Sequence, residues 1–189
     1  MRRFHCFLIT LGLALALSAC APARPAQTTS APAAQPSPTQ TPEWLDIELT
    51  DAKTGDTFTV NDFRGKVVLV ETMAVWCPNC LRQAQELKAL RASYGPEDLV
   101  FVSLDIDLHE DASMLKEYAE QNEFDWSFAV TPLEVTRDIG GLYGALFLDP
   151  TLNPMLIVNR KGEVFTLSFG EKKAADLNKW IASFIADGT

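Results

Sequence analysis

Val67, Val68, Leu69 and Val70 stand together with no polar residue between them, in an apolar run that reads on to Ala74. Uninterrupted β-forming residues predict a strand covered on both faces rather than one with a wet side. After Trp76 the period changes. Cys77, Cys80, Leu81, Ala84, Leu87, Ala89 and Leu90 recur at three-and-four spacing, with Arg82, Gln85, Glu86 and Lys88 between them. That pattern predicts a helix with one buried stripe over residues 78–94, stopped at Gly95-Pro96. Residues 99–106 form a second apolar strand, and a crossover helix between two such strands implies a parallel pair.

The remaining pattern extends this unit on both sides. Residues 44–49 and 57–60 are short strand-like runs around Lys53-Thr54-Gly55-Asp56, which predicts an N-terminal hairpin. Asp111 is placed to cap a helix running through Glu120, with Met114, Leu115, Tyr118 and Ala119 as its inner face. Residues 126–130 read as a strand, and 132–142 as a short helix ended by Gly140-Gly141 or Gly144. Residues 155–158 and 164–169 flank Asn159-Arg160-Lys161-Gly162-Glu163 as a second hairpin. Residues 174–186 close the chain as a helix whose apolar face is Leu177, Trp180, Ile181, Phe184 and Ile185. The expected fold is α/β: a mixed central sheet with helices on both faces and an N-terminal β-hairpin extension.

Composition divides the 189 residues into three parts. Residues 1–19 have the layout of a secretory signal, with Arg2 and Arg3 ahead of an apolar stretch from Phe7 to Leu17 that is too short to be taken as a spanning helix. Residues 20–42 are Cys20 followed, over 21–42, by Ala, Pro, Thr, Ser and Gln with Arg24 the only charge, a composition that buries too little apolar surface to fold and so reads as an extended tether. Residues 43–189 are one domain. All 25 acidic residues lie in it; with Arg2, Arg3 and Arg24 outside, 13 of the 16 basic residues remain, and the domain stands near −12. That balance argues against nucleic acid or an anionic lipid surface as partner.

Cysteine usage is the sharpest constraint. Of four cysteines only Cys77 and Cys80 fall in the folded domain. A bridge between them closes so short a loop that it removes little chain entropy, which makes it a poor brace and favours redox chemistry. Cys77 sits where a strand hands over to a helix, so the helix's first N–H groups and its positive end favour an anion there. A thiol so placed is expected to ionise below its free value of about 8.5, and the thiolate is the reactive form. Cys80 lies one turn on, on the same face. Exchange needs the first thiolate on an accessible rim and the second within reach. Glu71 interrupts the most buried strand, where an uncompensated carboxylate is costly and its pKa is expected to rise; the alternative is an ion pair with a lysine such as Lys66. His109, the domain's only histidine, reads as solvated.

On Phe63-Arg64-Gly65-Lys66-Val67-Val68-Leu69-Val70, on Trp76-Cys77-Pro78-Asn79-Cys80, and on Asn153-Pro154 ahead of Asn159-Arg160-Lys161-Gly162-Glu163-Val164, the chain resembles thioredoxin-fold thiol–disulfide oxidoreductases. More narrowly it is similar to their membrane-anchored, extracytoplasmic branch, the TlpA/ResA-like group, over roughly residues 43–187. The resemblance implies a thioredoxin-like three-layer sandwich. It implies Cys77 as attacking thiol, Cys80 as resolving thiol, and Glu71 as the acid that exchanges a proton with Cys80. It implies a cis proline at Pro154 beside the dithiol, offering backbone to an extended substrate, with Trp76, Pro78, Asn79 and Asn153 around it. Leu17-Ser18-Ala19-Cys20 likewise resembles a bacterial lipobox, which implies lipid on Cys20.

Further implications are protein thiols and disulfides as substrates, reductase work such as cytochrome c maturation, a membrane electron-transfer partner, a monomer, and no cofactor or metal beyond the Cys77–Cys80 disulfide itself. The alternatives weighed are a thiol peroxidase and a Cu(I)- or Zn-binding chaperone using the same two cysteines. Three features depart from the family pattern: the Pro-Asn dipeptide between the cysteines, Asn153 before Pro154, and extra length over residues 145–152, expected to border the site and shape partner choice.

Overall fold

Seven consecutive buried residues, Val67 to Met73, place one strand at the centre of the sheet. The structure, a computed structural model, describes residues 41–186. In chain order its elements are β1 (Leu49–Thr50), β2 (Thr57–Phe58), β3 (Val67–Met73), α1 (Pro78–Arg91), β4 (Leu99–Asp105), α2 (Ala112–Gln121), β5 (Ser127–Val130), α3 (Leu133–Tyr143), β6 (Met155–Val158), β7 (Val164–Thr166) and α4 (Ala174–Ala186), with 3-10 turns between some of them. The main sheet has the order β5-β4-β3-β6-β7, and β1 and β2 pair separately as the expected hairpin. β3 runs parallel to β4, from Val67 opposite Leu99 to Met73 opposite Asp105, and antiparallel to β6, with Glu71 opposite Met155.

Alternation along β3 sends successive side chains to opposite faces. Leu69 and Met73 join Leu87 and Leu90 of α1, Leu115 of α2 and Ile181 of α4 in one core. Val68 and Val70 join Trp44, Leu45, Val135 and Ile139 of α3 in the other. Helices therefore cover both faces, and the three-layer α/β sandwich is what forms. Each fully buried leucine or valine contributes about 1.5–3 kcal/mol relative to exposure, so β3 with its two cores is the rigid base from which the loop after Met73 projects. Glu71 shares parity with Leu69 and Met73, which puts it under α1.

Several elements differ from expectation for local reasons. Residues 43–46 wind into a 3-10 turn instead of starting a strand, because Trp44 and Leu45 turn into the core and Trp44 Nε1 donates to Tyr143 Oη at 3.2 Å. The α1 helix ends three residues early at Arg91, with Lys88 and Arg91 at its negative end. Asp111 caps α2 as expected, its Oδ1 accepting from Ser113 N–H at 2.8 Å and Met114 N–H at 3.0 Å. Met114 itself is exposed rather than inner, and Trp180 of α4 is also partly exposed. Gly140 and Gly141 lie inside α3; the helix stops at Gly144, whose φ of 101° is open chiefly to glycine.

Candidate functional site

The site grows from the handover between β3 and α1. Ala74, Val75 and Trp76 cross the end of the sheet, and Cys77 becomes the N-cap of α1 with φ −81° and ψ 111°. Its Sγ accepts the Cys80 N–H at 3.2 Å, the bond a serine or aspartate side chain makes at other helix starts. Pro78 occupies the first turn, where its missing N–H costs nothing. Both cysteines are free thiols. The two sulfurs therefore sit together at the helix N-terminus.

They are not on an open rim. Cys77 is 1% exposed and Cys80 2%. The cover is the segment between α3 and β6, where two 3-10 turns, Ala145–Leu148 and Pro150–Leu152, bring a backbone carbonyl over the dithiol. Pro150 O accepts from Cys80 Sγ at 3.2 Å and lies 3.6 Å from Cys77 Sγ. Thr72 Oγ1 donates to Phe147 O at 2.6 Å, and Asn79 Nδ2 to Thr151 O at 2.7 Å, fixing the segment from both sides. The extra length at 145–152 does border the dithiol, and it does so as a cover.

Pro154 requires a correction. Among the described residues there is no cis peptide bond, so Asn153–Pro154 is trans. Asn153 makes the turn instead: its N–H closes on Pro150 O at 3.1 Å, and it takes φ 50° and ψ 59°, a left-handed conformation that asparagine tolerates better than most residues. The chain has then already reversed and enters β6 directly. Asn153 and Pro154 are both buried, and Pro154 O accepts the Thr72 N–H at 3.3 Å. Neither offers a free edge to a substrate; they anchor the segment that covers the sulfurs.

Beneath the dithiol, Glu71 is 4% exposed, and its Oε1 accepts from Ser103 Oγ at 2.6 Å, while Trp126 Nε1 donates to Ser103 Oγ at 2.9 Å. Its partner is thus Ser103 from the adjoining strand and not Lys66. Burial raises the Glu71 carboxyl to about 7, against the lowering effects of the Ser103 hydroxyl and the Lys172 ammonium. Lys172 is itself buried, donating to Asn153 O and Gly170 O at 2.7 Å each, and burial lowers it to about 8 despite the opposing pull of Glu71. Burial also pushes the Cys80 thiol well above the ordinary thiol range, with the neighbouring Cys77 and Glu71 adding to it. Glu71 and Cys80 are therefore two buried acids whose charged forms disfavour each other.

Trp76 does not pack down beside the dithiol. It is 56% exposed, with Nε1 donating to Asp107 Oδ2 at 2.6 Å. Together with Ile106, Leu108, Leu148 and Pro150 it lines an open cleft of about 320 Å³. His109 is exposed and, among the described residues, hydrogen-bonds only Asp107 within its own loop. Ser103, Lys172, Glu110 and the Pro150 carbonyl are parts of the site that the sequence did not reveal. A serine in a strand and a lysine before a helix carry no local signal, and the carbonyl lies 73 and 70 residues from the two cysteines it covers. Cys20 and residues 1–19 lie outside the described residues, as does almost all of the tether. No helix among the described residues is long and apolar enough to cross a membrane.

A family model described as Redoxin matches residues 26–181. No curated protein matches the chain. Among solved structures it is similar to a thiol:disulfide interchange protein of the thioredoxin family from Chlorobium tepidum TLS, at 17% identity and TM-score 0.62, covering 74% of this chain and 92% of that one. It is also similar to the thioredoxin domain of a thiol-disulfide oxidoreductase from Bacteroides vulgatus, at 20% identity and TM-score 0.59 over 74% and 92%. A third is a secreted Mycobacterium tuberculosis disulfide oxidoreductase homologous to E. coli DsbE, at 17% identity and TM-score 0.56 over 75% and 98%. The fold is thioredoxin-like.

Proposed function

We propose, from the premise that the chain belongs to the Redoxin family, that it is a thiol–disulfide oxidoreductase acting on protein disulfides through Cys77 and Cys80. The observation that carries this reading is the Cys77 Sγ at the α1 N-terminus, 3.2 Å from the Cys80 N–H, with the second sulfur directly behind it. That sulfur accepts the Cys80 N–H at the positive end of the helix. The Cys77 thiolate attacks one sulfur of a substrate disulfide, forming a mixed disulfide and releasing the other substrate sulfur as thiolate. Cys80 then gives its proton to Glu71 and attacks Cys77 Sγ. The substrate leaves with both sulfurs reduced, and the protein keeps the two-electron oxidation as the Cys77–Cys80 disulfide. A carboxyl near 7 is suited to serve as general base near neutral pH, taking the proton of the weakly acidic buried thiol as that sulfur attacks.

Access requires the 145–152 segment to move off the sulfurs, and the substrate backbone then takes the place of the Pro150 carbonyl. Trp76, Pro78 and Asn79 stand at that opening, and Asn153 and Pro154 act through the segment they anchor. In direction we favour a reductase with an extracytoplasmic address, lipid-anchored at Cys20 and fed by a membrane electron carrier. The support is the lipobox-like Leu17-Ser18-Ala19-Cys20 and the secreted mycobacterial protein of like fold. Cys77→Ser abolishes exchange with an insulin-type disulfide, and Cys80→Ser accumulates mixed disulfides with substrate; a Cys77→Ser protein that still turns over removes the reading. A potential for the pair near −270 mV rather than near −120 mV fits the reductive direction.

A further inference from the structure

Two carboxyl groups that the exchange chemistry does not use are buried beside the loop that carries the dithiol. Asp105, the last residue of β4, is 1% exposed, and Glu110, five residues on, is 8% exposed. Glu110 Oε2 accepts the Val75 N–H at 2.7 Å, and Oε1 the Trp76 N–H at 3.3 Å. These are the two residues immediately before Cys77. The two bonds hold a short crossing that otherwise rests on Cys77 N–H to Ala74 O and on the exposed Trp76–Asp107 bond.

Asp105 braces this arrangement. Its Oδ1 accepts the Asp107 N–H at 3.1 Å, while Oδ2 is buried with no donor to accept among the described residues. Burial, opposed by the Asp107 N–H and reinforced by the neighbouring Glu110 carboxyl, pushes Asp105 up to about 7. A proton between them satisfies the orphan Oδ2, because the protonated group donates where the ionised one can only accept.

We propose that Glu110 is a positioning residue for the dithiol: braced by a proton held on Asp105, its carboxylate fixes the Val75 and Trp76 peptide groups and so sets where Cys77 Sγ stands against the Cys80 N–H. The inference rests on the exchange reading above. Loosening the crossing frees the reduced loop more than the closed ring, so forming the disulfide costs more.

The test is the equilibrium of the whole protein with glutathione, in which protein disulfide and two glutathiones give protein dithiol and one glutathione disulfide. Glu110→Ala shifts that constant about ten-fold toward the dithiol, about 30 mV at 29.6 mV per decade. Asp105→Asn keeps a donor for Glu110 and stays within two-fold of the parent, whereas Asp105→Val follows Glu110→Ala. A merely structural role lowers the urea midpoint of oxidised and reduced protein alike and leaves the constant where it was. Should Glu110→Ala fail to fold, Glu110→Gln, with one acceptor oxygen for two N–H groups, is read in its place for a shift of about three-fold. Parent-like constants in the folded Glu110 variants overturn the clamp, and equal loss in Asp105→Asn and Asp105→Val overturns the bracing proton. A parent protein that never equilibrates with glutathione overturns the exchange reading instead.

Discussion

On the face of the sheet under α3, β3 and β4 present Val68, Val70, Val102 and Leu104, closed into an apolar core. On the face under α1 the same two strands present Glu71, Ser103 and Asp105 alongside Leu69 and Met73, and Gln83 and Lys172 are buried nearby. One set of residues does only packing. The other places ionisable groups where each costs several kcal/mol unless hydrogen-bonded or neutralised. A fold selected for stability alone has no use for that second face, and the difference marks which side of the sheet serves chemistry. The polar groups also lie at the end of the strands where Cys77 and Cys80 stand, so the asymmetry runs along the strands as well as through them.

The comparison is broken most strongly from the apolar side. Leu104→Ala, in a site with no exposed surface, is expected to cost about 2–5 kcal/mol in urea unfolding while leaving the Cys77–Cys80 potential unchanged. A shifted potential there would show that the two faces are not separable.

Glu71→Gln works in the opposite sense. The carboxyl's ordinary value of 4.5 is raised to about 7 in the folded chain. Between those values the folded state holds a proton that the unfolded chain has released, so stability falls as pH rises from about 4.5 to 7 and then levels off. Glutamine does not titrate and still accepts from Ser103. The variant is therefore expected to gain on the parent by up to about 3 kcal/mol across that window, measured as the difference in unfolding free energy at pH 5 and pH 8. The same variant is expected to slow exchange by about 10²-fold and to move the potential much less. If the rate is unchanged, Glu71 is structural. The smallest expected effect is at the cover: Asn79→Ala removes the bond to Thr151 O, costs about 1 kcal/mol or less of stability, and speeds alkylation of Cys77 by a small reagent.

What could be read from sequence followed from how local each cause is. The β3 run, the Asp111 cap and the α4 stripe are set by neighbours within one or two turns, and they form within a residue or so of where expected. Cys77 as N-cap is equally local. Trp44 and Leu45 look like strand residues, and only their docking against Tyr143, 99 positions away, winds them into a turn. The raised carboxyl at Glu71 was foreseeable because a lone acid in an apolar strand has few outcomes; that Ser103 rather than a lysine meets it depends on strand register. The trans bond at Pro154 and the coverage of Cys77 both trace to residues 144–153, whose path is decided by tertiary contacts of Thr72, Asn79 and Lys172.

Because the Pro150 carbonyl closes over both sulfurs, reactivity is paced by an opening and not by collision. Small oxidants in the surroundings meet a shut door most of the time, while a partner able to displace one strap of backbone meets two poised thiols at once. Isotope exchange at the amides of that strap and chemical labelling of Cys77 are two clocks for a single event, and they should keep the same time.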